Sequence, residues 1–251
     1  MAVIPISDLA AVAVGLGALS VVVHLTTIYL HRSVAHGSVR YRPWLEHTLH
    51  TAHVVMTGVS ARRWTAVHIY HHLFPDKDGS PGDPHSPYLE GVWHILFFNV
   101  YYYAKAAKDP RVWGHPVVQA RLSQIPVRRV DCLRNWGPGL LWLSAMLIFG
   151  WQAGAIIGLV YAVPYLLLNG AVNGLSHYWG YKNYPSASAY NLRWLALVTA
   201  GEGLHNNHHS RFTSPFFAAR RLEWLFESGG LTIRLLCMLK CAEVVGGSTA
   251  H

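Results

Sequence analysis

Residues 135–181 read NWGPGLLWLSAMLIFGWQAGAIIGLVYAVPYLLLNGAVNGLSHYWGY, with no Asp, Glu, Lys or Arg between Arg134 and Lys182. A helix rising about 1.5 Å per residue needs about 20 apolar residues to cross roughly 30 Å of hydrocarbon. This stretch is long enough to cross twice, as a helical hairpin turning near Gly150, Trp151 and Gly154. A second apolar run, residues 9–30, is long enough to cross once. Together they predict an all-α integral membrane protein, one domain over residues 1–251, with about three transmembrane helices near 9–31, 135–151 and 154–176. Composition agrees: 52% of the residues are hydrophobic and only 13% charged, against about 25% charged in an ordinary soluble domain.

All 20 Lys and Arg residues lie within 32–134 or 182–240. Basic residues beside membrane spans are retained in the cytoplasm. Three spans then put the N-terminus outside and the segments 32–134 and 177–251 in the cytoplasm, with the inner membrane of a bacterium as the expected location. Trp136 and Trp179 would mark one interface and Trp151 the other. The net charge of +8 reads as topology plus attraction to anionic headgroups, and no basic run interleaved with aromatics points to nucleic acid. Met1 to Asp8 has no basic residue, so the first apolar run reads as a retained helix and not a cleaved signal. Cys132, Cys237 and Cys241 lack a CxxC spacing and read as unpaired thiols. Residues 44–61 and 92–104 are apolar but too short to cross, which predicts helices lying in the interface or packed under the cytoplasmic domain. The tail, 216–245, predicts two amphipathic helices parted at Gly229 and Gly230 that cover the functional site, and residues 76–87 form the clearest loop.

Nine histidines fall in four clusters: His31 and His36; His68, His71 and His72; His177; and His205, His208 and His209. Neutral imidazole is the commonest protein ligand for d-block metals, and nine exceed what one ion can use. The count points to two metals. In HxxHH the histidines stand at i, i+3 and i+4, one helix face, so each triplet can aim three imidazoles at a common point. The adjacent pair His71 and His72 diverges by about 100° on a helix and suits two ions better than one. His31 and His36, five apart, are also wide enough to divide between two centres. His47, His50 and His53 recur every three residues beside Glu46 without joining this pattern, and His24 is expected to bond a neighbouring helix. His85 reads as an organiser of its loop.

With HRSVAH at 31–36, HIYHH at 68–72 and HNNHH at 205–209, the chain resembles the membrane fatty-acyl desaturases, the family of stearoyl-CoA desaturase and its bacterial relatives. DPH at 83–85, NGLSHYWG at 173–180 and GEG at 201–203 extend the likeness. The resemblance implies that the nine histidines ligate two iron ions, that Asn173 meets one iron through water, and that Trp64 stands beside an acyl tunnel. The family usually has a two-helix hairpin before the first histidine pair, whereas 30 residues leave room here for one helix.

Physical chemistry favours iron too. Catalytic zinc uses about three protein ligands and has no redox chemistry, whereas iron takes more ligands and leaves positions open to oxygen. An all-imidazole shell leaves cation charge unbalanced, so outer carboxylates must orient the rings. Asp83 and Glu202 are the candidates, with Asp76 and Asp78 weaker and read mainly as loop solvation. The expected reaction is dioxygen-dependent desaturation of a fatty-acyl chain carried on coenzyme A, acyl carrier protein or a lipid. Tyr101, Tyr102, Tyr103, Tyr161 and Tyr165 are candidates to line its tunnel. Related chemistries on such a scaffold are hydroxylation, acetylenic-bond formation and decarboxylation to terminal alkenes; a metal transporter or haem carrier is the non-enzymatic reading. No fused electron carrier is visible, so a separate donor protein is expected, docking near Arg62, Arg63, Arg128 and Arg129.

Overall fold

The computed structural model describes residues 3–76, 82, 83 and 85–245. The first helix, α1 (Asp8–Ala35), starts where Ser7 Oγ accepts the Ala10 N–H at 3.2 Å, with Asp8 in the first turn favouring the positive helix end. It is α-helical to His24, then winds as a π-helix from Leu25 to Ala35. Thr26 Oγ1 bonds back to the Val22 carbonyl at 2.9 Å where the winding changes, competing with the regular ladder. After strand β1 (Val39–Tyr41) come α2 (Pro43–Thr57) and α3 (Ala61–Leu73). Pro43 opens α2 and Gly58, at φ +66°, closes it in the left-handed conformation, placing the next cap, Ser60, to begin α3.

The chain continues through α4 (Pro87–Glu90), α5 (Val92–Ala106), α6 (Pro110–Gly114), α7 (Pro116–Leu122) and a 3-10 turn, Arg129–Asn135. Then α8 (Gly137–Phe149) and α9 (Trp151–Tyr178) form the hairpin. Short helices α10 (Arg193–Val198) and α11 (His205–Ser210), a 3-10 turn (Arg221–Phe226), α12 (Ser228–Met238) and β2 (Ala242–Val244) complete the described chain.

Two helices among the described residues, α1 and α9, are long and apolar enough to cross a membrane. They run parallel: Asp8 meets Gln152 at 3.1 Å, Ala11 packs on Ala153 and Ile157, and Thr26 bonds the Tyr165 hydroxyl at 2.9 Å, each pair further along both helices. Parallel neighbours need a return path, and α8 supplies it. Its 13 residues span only about 20 Å, shorter than the crossing expected at 135–151. The turn is Gly150 alone, at φ +87°. Gly154 instead lies within α9, where a Cβ would come 2.5 Å from the Met146 backbone, so its bare surface lets α8 pack close.

The two apolar stretches expected to be short helices form α2 and α5. The tail differs: its first predicted helix is the 3-10 turn Arg221–Phe226, and Gly229 and Gly230 sit inside α12. They let the helix start approach Ala200 O and the Glu227 carboxylate, which a Cβ would meet at 2.6 Å in each case. Two short strands also qualify the all-helical expectation, with Val39, Arg40 and Tyr41 pairing antiparallel to Val244, Glu243 and Ala242. Much of the predicted loop at 76–87, including Asp78, lies outside the described residues.

Candidate metal centre

Four elements deliver the nine histidines to one place at the C-terminal ends of α1 and α9. The π-helix matters first. Its i→i+5 bond from the His36 N–H to His31 O, 3.0 Å, brings residues five apart onto one face. His31 and His36 therefore enter the same group, rings 4.9 Å apart, and do not divide between two centres as their spacing predicted.

One group comprises His31, His36, His68, His72 and His208; the other comprises His71, His177, His205 and His209. Within each, the potential ligand atoms lie within 4.8 Å of one another. The triplets do not aim at common points. Instead α3 gives His68 and His72, at i and i+4, to the first group and His71 to the second, while α11 gives His205 and His209 to the second and His208 to the first. In the first group the Nε2 atoms of His31 and His208 are 3.0 Å apart, and those of His36 and His68 are 2.7 Å apart. In the second, His71 and His177 stand at 3.2 Å and His205 and His209 at 3.2 Å.

Carboxylates hold three rings from behind. Glu202 Oε2 is 2.6 Å from His31 Nδ1, Asp83 Oδ2 is 2.8 Å from His71 Nδ1, and Asp76 Oδ2 is 2.8 Å from His177 Nδ1. A proton donated from Nδ1 fixes the tautomer and leaves an Nε2 lone pair facing inward. Asp76 is thus more than loop solvation. Glu202 is presented by a turn with Ala200 and Gly201 at φ +52° and +108°, and its other oxygen accepts from Thr27. Burial opposes ionisation of Asp83 and Glu202, but His71 and His31 respectively, by charge and hydrogen bond, hold both carboxyls below their usual range.

Burial, reinforced by neighbouring imidazoles, keeps His36, His68, His72, His205, His208 and His209 well below the usual histidine value. Burial also opposes protonation of His71, but Asp83 outweighs it and raises that ring. Neutral rings with convergent lone pairs repel one another, and each Nε2 pair can share only one proton. A d-block cation is the partner such a donor set suits.

Trp64 stacks on His68, centroids 4.5 Å apart and planes at 16°. Asn173 Nδ2 donates to Asn99 Oδ1 at 3.0 Å. Both line a cavity of about 240 Å³ that reaches His31, His68, His85 and His205. Of the five tyrosines predicted to line a tunnel, Tyr103 and Tyr165 line this cavity. The His47, His50, His53 series stays apart: His50 bonds the Tyr29 hydroxyl and Asp131, each at 2.8 Å. His24 does bond across to another element, Ser228 Oγ at 3.0 Å. Arg62 is committed elsewhere, donating to the carbonyls of Leu122 and Ile125 at 2.6 and 2.7 Å, and Arg128 pairs with Glu46.

A second layer was not foreseen. Arg32, fully buried, donates to Glu227 Oε1 at 3.0 Å and Pro215 O at 2.7 Å and lies 3.9 Å over the Phe217 ring. Phe217 in turn packs on His208 at 4.5 Å. Asn207, inside the third histidine motif, donates to Phe217 O and Glu223 Oε2 at 2.8 and 2.9 Å. The signal available in sequence was the placement of Arg32 and Asn207 inside the motifs, where charged and amide groups must find buried partners.

The helices and these groups define a largely apolar helical protein carrying two adjoining all-histidine donor sets. Residues 9–231 match the family described as Fatty acid desaturase, and the chain belongs to it. It is 30% identical over 209 residues to Delta-9 acyl-lipid desaturase 2 of Arabidopsis thaliana, covering 79% of this chain and 62% of that protein. It is 28% identical over 225 residues to sn-1 stearoyl-lipid 9-desaturase of Anabaena variabilis, covering 87% and 77%. It is also 30% identical over 205 residues to the chloroplastic palmitoyl-monogalactosyldiacylglycerol delta-7 desaturase of Arabidopsis thaliana, covering 79% and 51%. The chain thus spans about three fifths of the length of the first of these. Family membership and two long apolar helices together make this a membrane protein.

Proposed function

We propose that the protein is an oxygen-dependent fatty-acyl desaturase built around two iron ions. The observation that carries this reading is the split of nine Nε2 donors into groups of five and four, backed by three buried carboxylates. His31, His36, His68, His72 and His208 would hold one iron; His71, His177, His205 and His209 would hold the other. Bound there, the pair supplies the redox chemistry by which dioxygen, two external electrons and two protons convert a CH2–CH2 unit to CH=CH and two waters.

The chain's own residues bind, orient and exclude water. Asn173 commits its amide nitrogen to Asn99, leaving Oδ1 to hold a water that would meet one iron. Trp64, Val67, Val100, Tyr103, Leu166 and Val172 wall the cavity in which the acyl chain lies. Because neither methylene is intrinsically reactive, holding one carbon pair at the metals is the protein's principal contribution. Phe217 packs against His31 and His208 of the five-histidine group and is backed by the Arg32–Glu227 pair.

The parallel course of α1 and α9 supports three passes with α8 as a short return, and the basic segments 32–134 and 182–240 support a cytoplasmic site in a multi-pass protein. Lipid-borne acyl chains are the substrates this reading favours, since the two relatives are named acyl-lipid and stearoyl-lipid desaturases. Electrons come from a separate donor protein. The test is mass spectrometry of lipids from a host expressing this chain with a donor, beside one expressing His208→Ala, with iron measured on both purified proteins. A new double bond lost with the mutation supports the proposal; equal product at equal protein level refutes the metal assignment.

A further inference from the structure

The packing of α5 against α9 changes abruptly along its length. At one end the helices are sealed by glycine. A Cβ on Gly170 would lie 2.1 Å from Leu96 O, and one on Gly174 would lie 3.1 Å from Val92 O, so the two backbones touch there. Val92 meets Gly174 and Leu96 meets Gly170, an antiparallel pairing that should bring later residues of α5 beside earlier residues of α9. The seal stops at that point. Phe98 leaves helical geometry, at φ −117° and ψ 24°, and kinks α5. On α9, Pro164 removes a backbone donor about one turn beyond the level of Phe98.

Between these two irregularities the cavity wall is formed by Val100 from α5 and Leu166 from α9. These two side chains are also 53% and 48% exposed, so they face the cavity and the outside at once. The outside at this level is apolar: Phe97 and Tyr101 on α5 and Val163 on α9 are exposed around them. A polar channel to water would not be framed this way. An exposed apolar rim continuous with a spanning helix faces lipid.

We infer that the α5–α9 fissure at Val100 and Leu166 is a lateral portal through which one acyl chain of an intact bilayer glycerolipid reaches the histidine groups. This deepens the proposed function and rests on it for the fate of the chain, but the portal itself rests on the kink, the glycine seal and the two doubly exposed residues. The occupant is fixed by continuity: a chain already parallel to α9 in the bilayer slides sideways between the helices without leaving hydrocarbon. Its headgroup stays at the interface, so the depth of the fissure sets which methylenes meet the metals.

The test uses the full chain in phosphatidylcholine vesicles containing phosphatidylcholine with a diazirine on one acyl chain. Illumination is followed by peptide mapping, in parallel with a diazirine-bearing acyl-CoA added from water. The expected result is adducts on Trp64 and Tyr103 from the phospholipid. In Val100→Trp/Leu166→Trp those interior adducts fall about tenfold or more, since reopening a filled fissure costs at least about 1.4 kcal/mol. Adducts on the exposed Val163 persist as the control for folding and insertion. Interior adducts untouched by the double variant, interior adducts from acyl-CoA alone, or none from either probe would each overturn the portal. Interior phospholipid adducts without any unsaturated product in the expression assay would leave the portal standing and remove the desaturase reading; a product with ungated labelling would do the reverse.

Discussion

Replacing Glu202 with glutamine should weaken one metal group and leave the other nearly whole. Glu202 Oε2 takes the His31 Nδ1 proton at 2.6 Å in a buried setting, and His31 belongs to the five-histidine group. A hydrogen bond to a charged acceptor is about twice as strong as a neutral one. Losing such an outer partner of a metal-bound histidine costs about 10–100-fold in affinity, or about 1.4–2.8 kcal/mol. Glutamine keeps an acceptor oxygen and loses only the charge, so the lower end, about tenfold, is expected; Glu202→Ala should approach the upper end. By the same reasoning Asp83→Asn and Asp76→Asn act through His71 and His177, both in the four-histidine group. The carboxylates therefore partition one to two. The assay is anaerobic titration of the metal-free protein with Fe2+ against a competing chelator, which should resolve two binding steps, with circular dichroism to confirm unchanged helicity. Glu202→Gln lowering both steps equally, or Glu202→Gln and Asp83→Asn lowering the same step, would refute the assignment of carboxylates to groups.

The metal-free protein should lose stability on acidification below about pH 6.5: its buried histidines stay neutral while the unfolded chain binds protons, so the unfolded state gains as pH falls. A melting temperature that is flat between about pH 7.5 and 5 contradicts this. Glu227→Ala strands the Arg32 guanidinium in a dry site and should cost about 3–5 kcal/mol in denaturant unfolding, much of which Arg32→Met/Glu227→Leu should restore. If the double variant is no better than the single, the loss came from packing and not from unpaired charge. Gly170→Ala should cost about 1–3 kcal/mol, because its methyl meets the Leu96 carbonyl of a packed helix and not a yielding side chain. An unchanged unfolding midpoint would show that α5 and α9 are not tightly sealed.

The histidine sets were legible because HxxHH spacing and the charge-free run are local properties. What the spacing misjudged was geometry: residues five apart diverge on an α-helix, and nothing in LTTIYLHRSVA announces the π winding that aligns His31 with His36. Adjacent His71 and His72 separated as expected because α3 is a regular helix. Asp83 and Glu202 are recognisable within the DPH and GEG stretches, whereas Asp76, four residues after His72, belongs to no such stretch and nothing local marks it as the partner of His177. The Arg32–Glu227 pair, 195 positions apart, and the β1–β2 pairing are likewise long-range and leave no local periodicity. The short α8 was missed because a charge-free sequence sets an upper bound on helix length and not the length itself.

The unequal sharing of α3 and α11 between the two groups has a consequence in time. Once a ribosome has made α3, four of the five members of one group exist, His31, His36, His68 and His72, while the other group consists of His71 alone. At about 5–20 residues per second, His205, 133 positions after His72, follows on the order of ten seconds later. During that interval the nascent chain already carries four of the five imidazoles of one group. The second group forms only when α9 and α11 emerge, and β2 stitches the exit of the first motif last of all. Biogenesis thus gives the two histidine groups different histories, one nearly complete in an early nascent chain and the other assembled only in a nearly finished one.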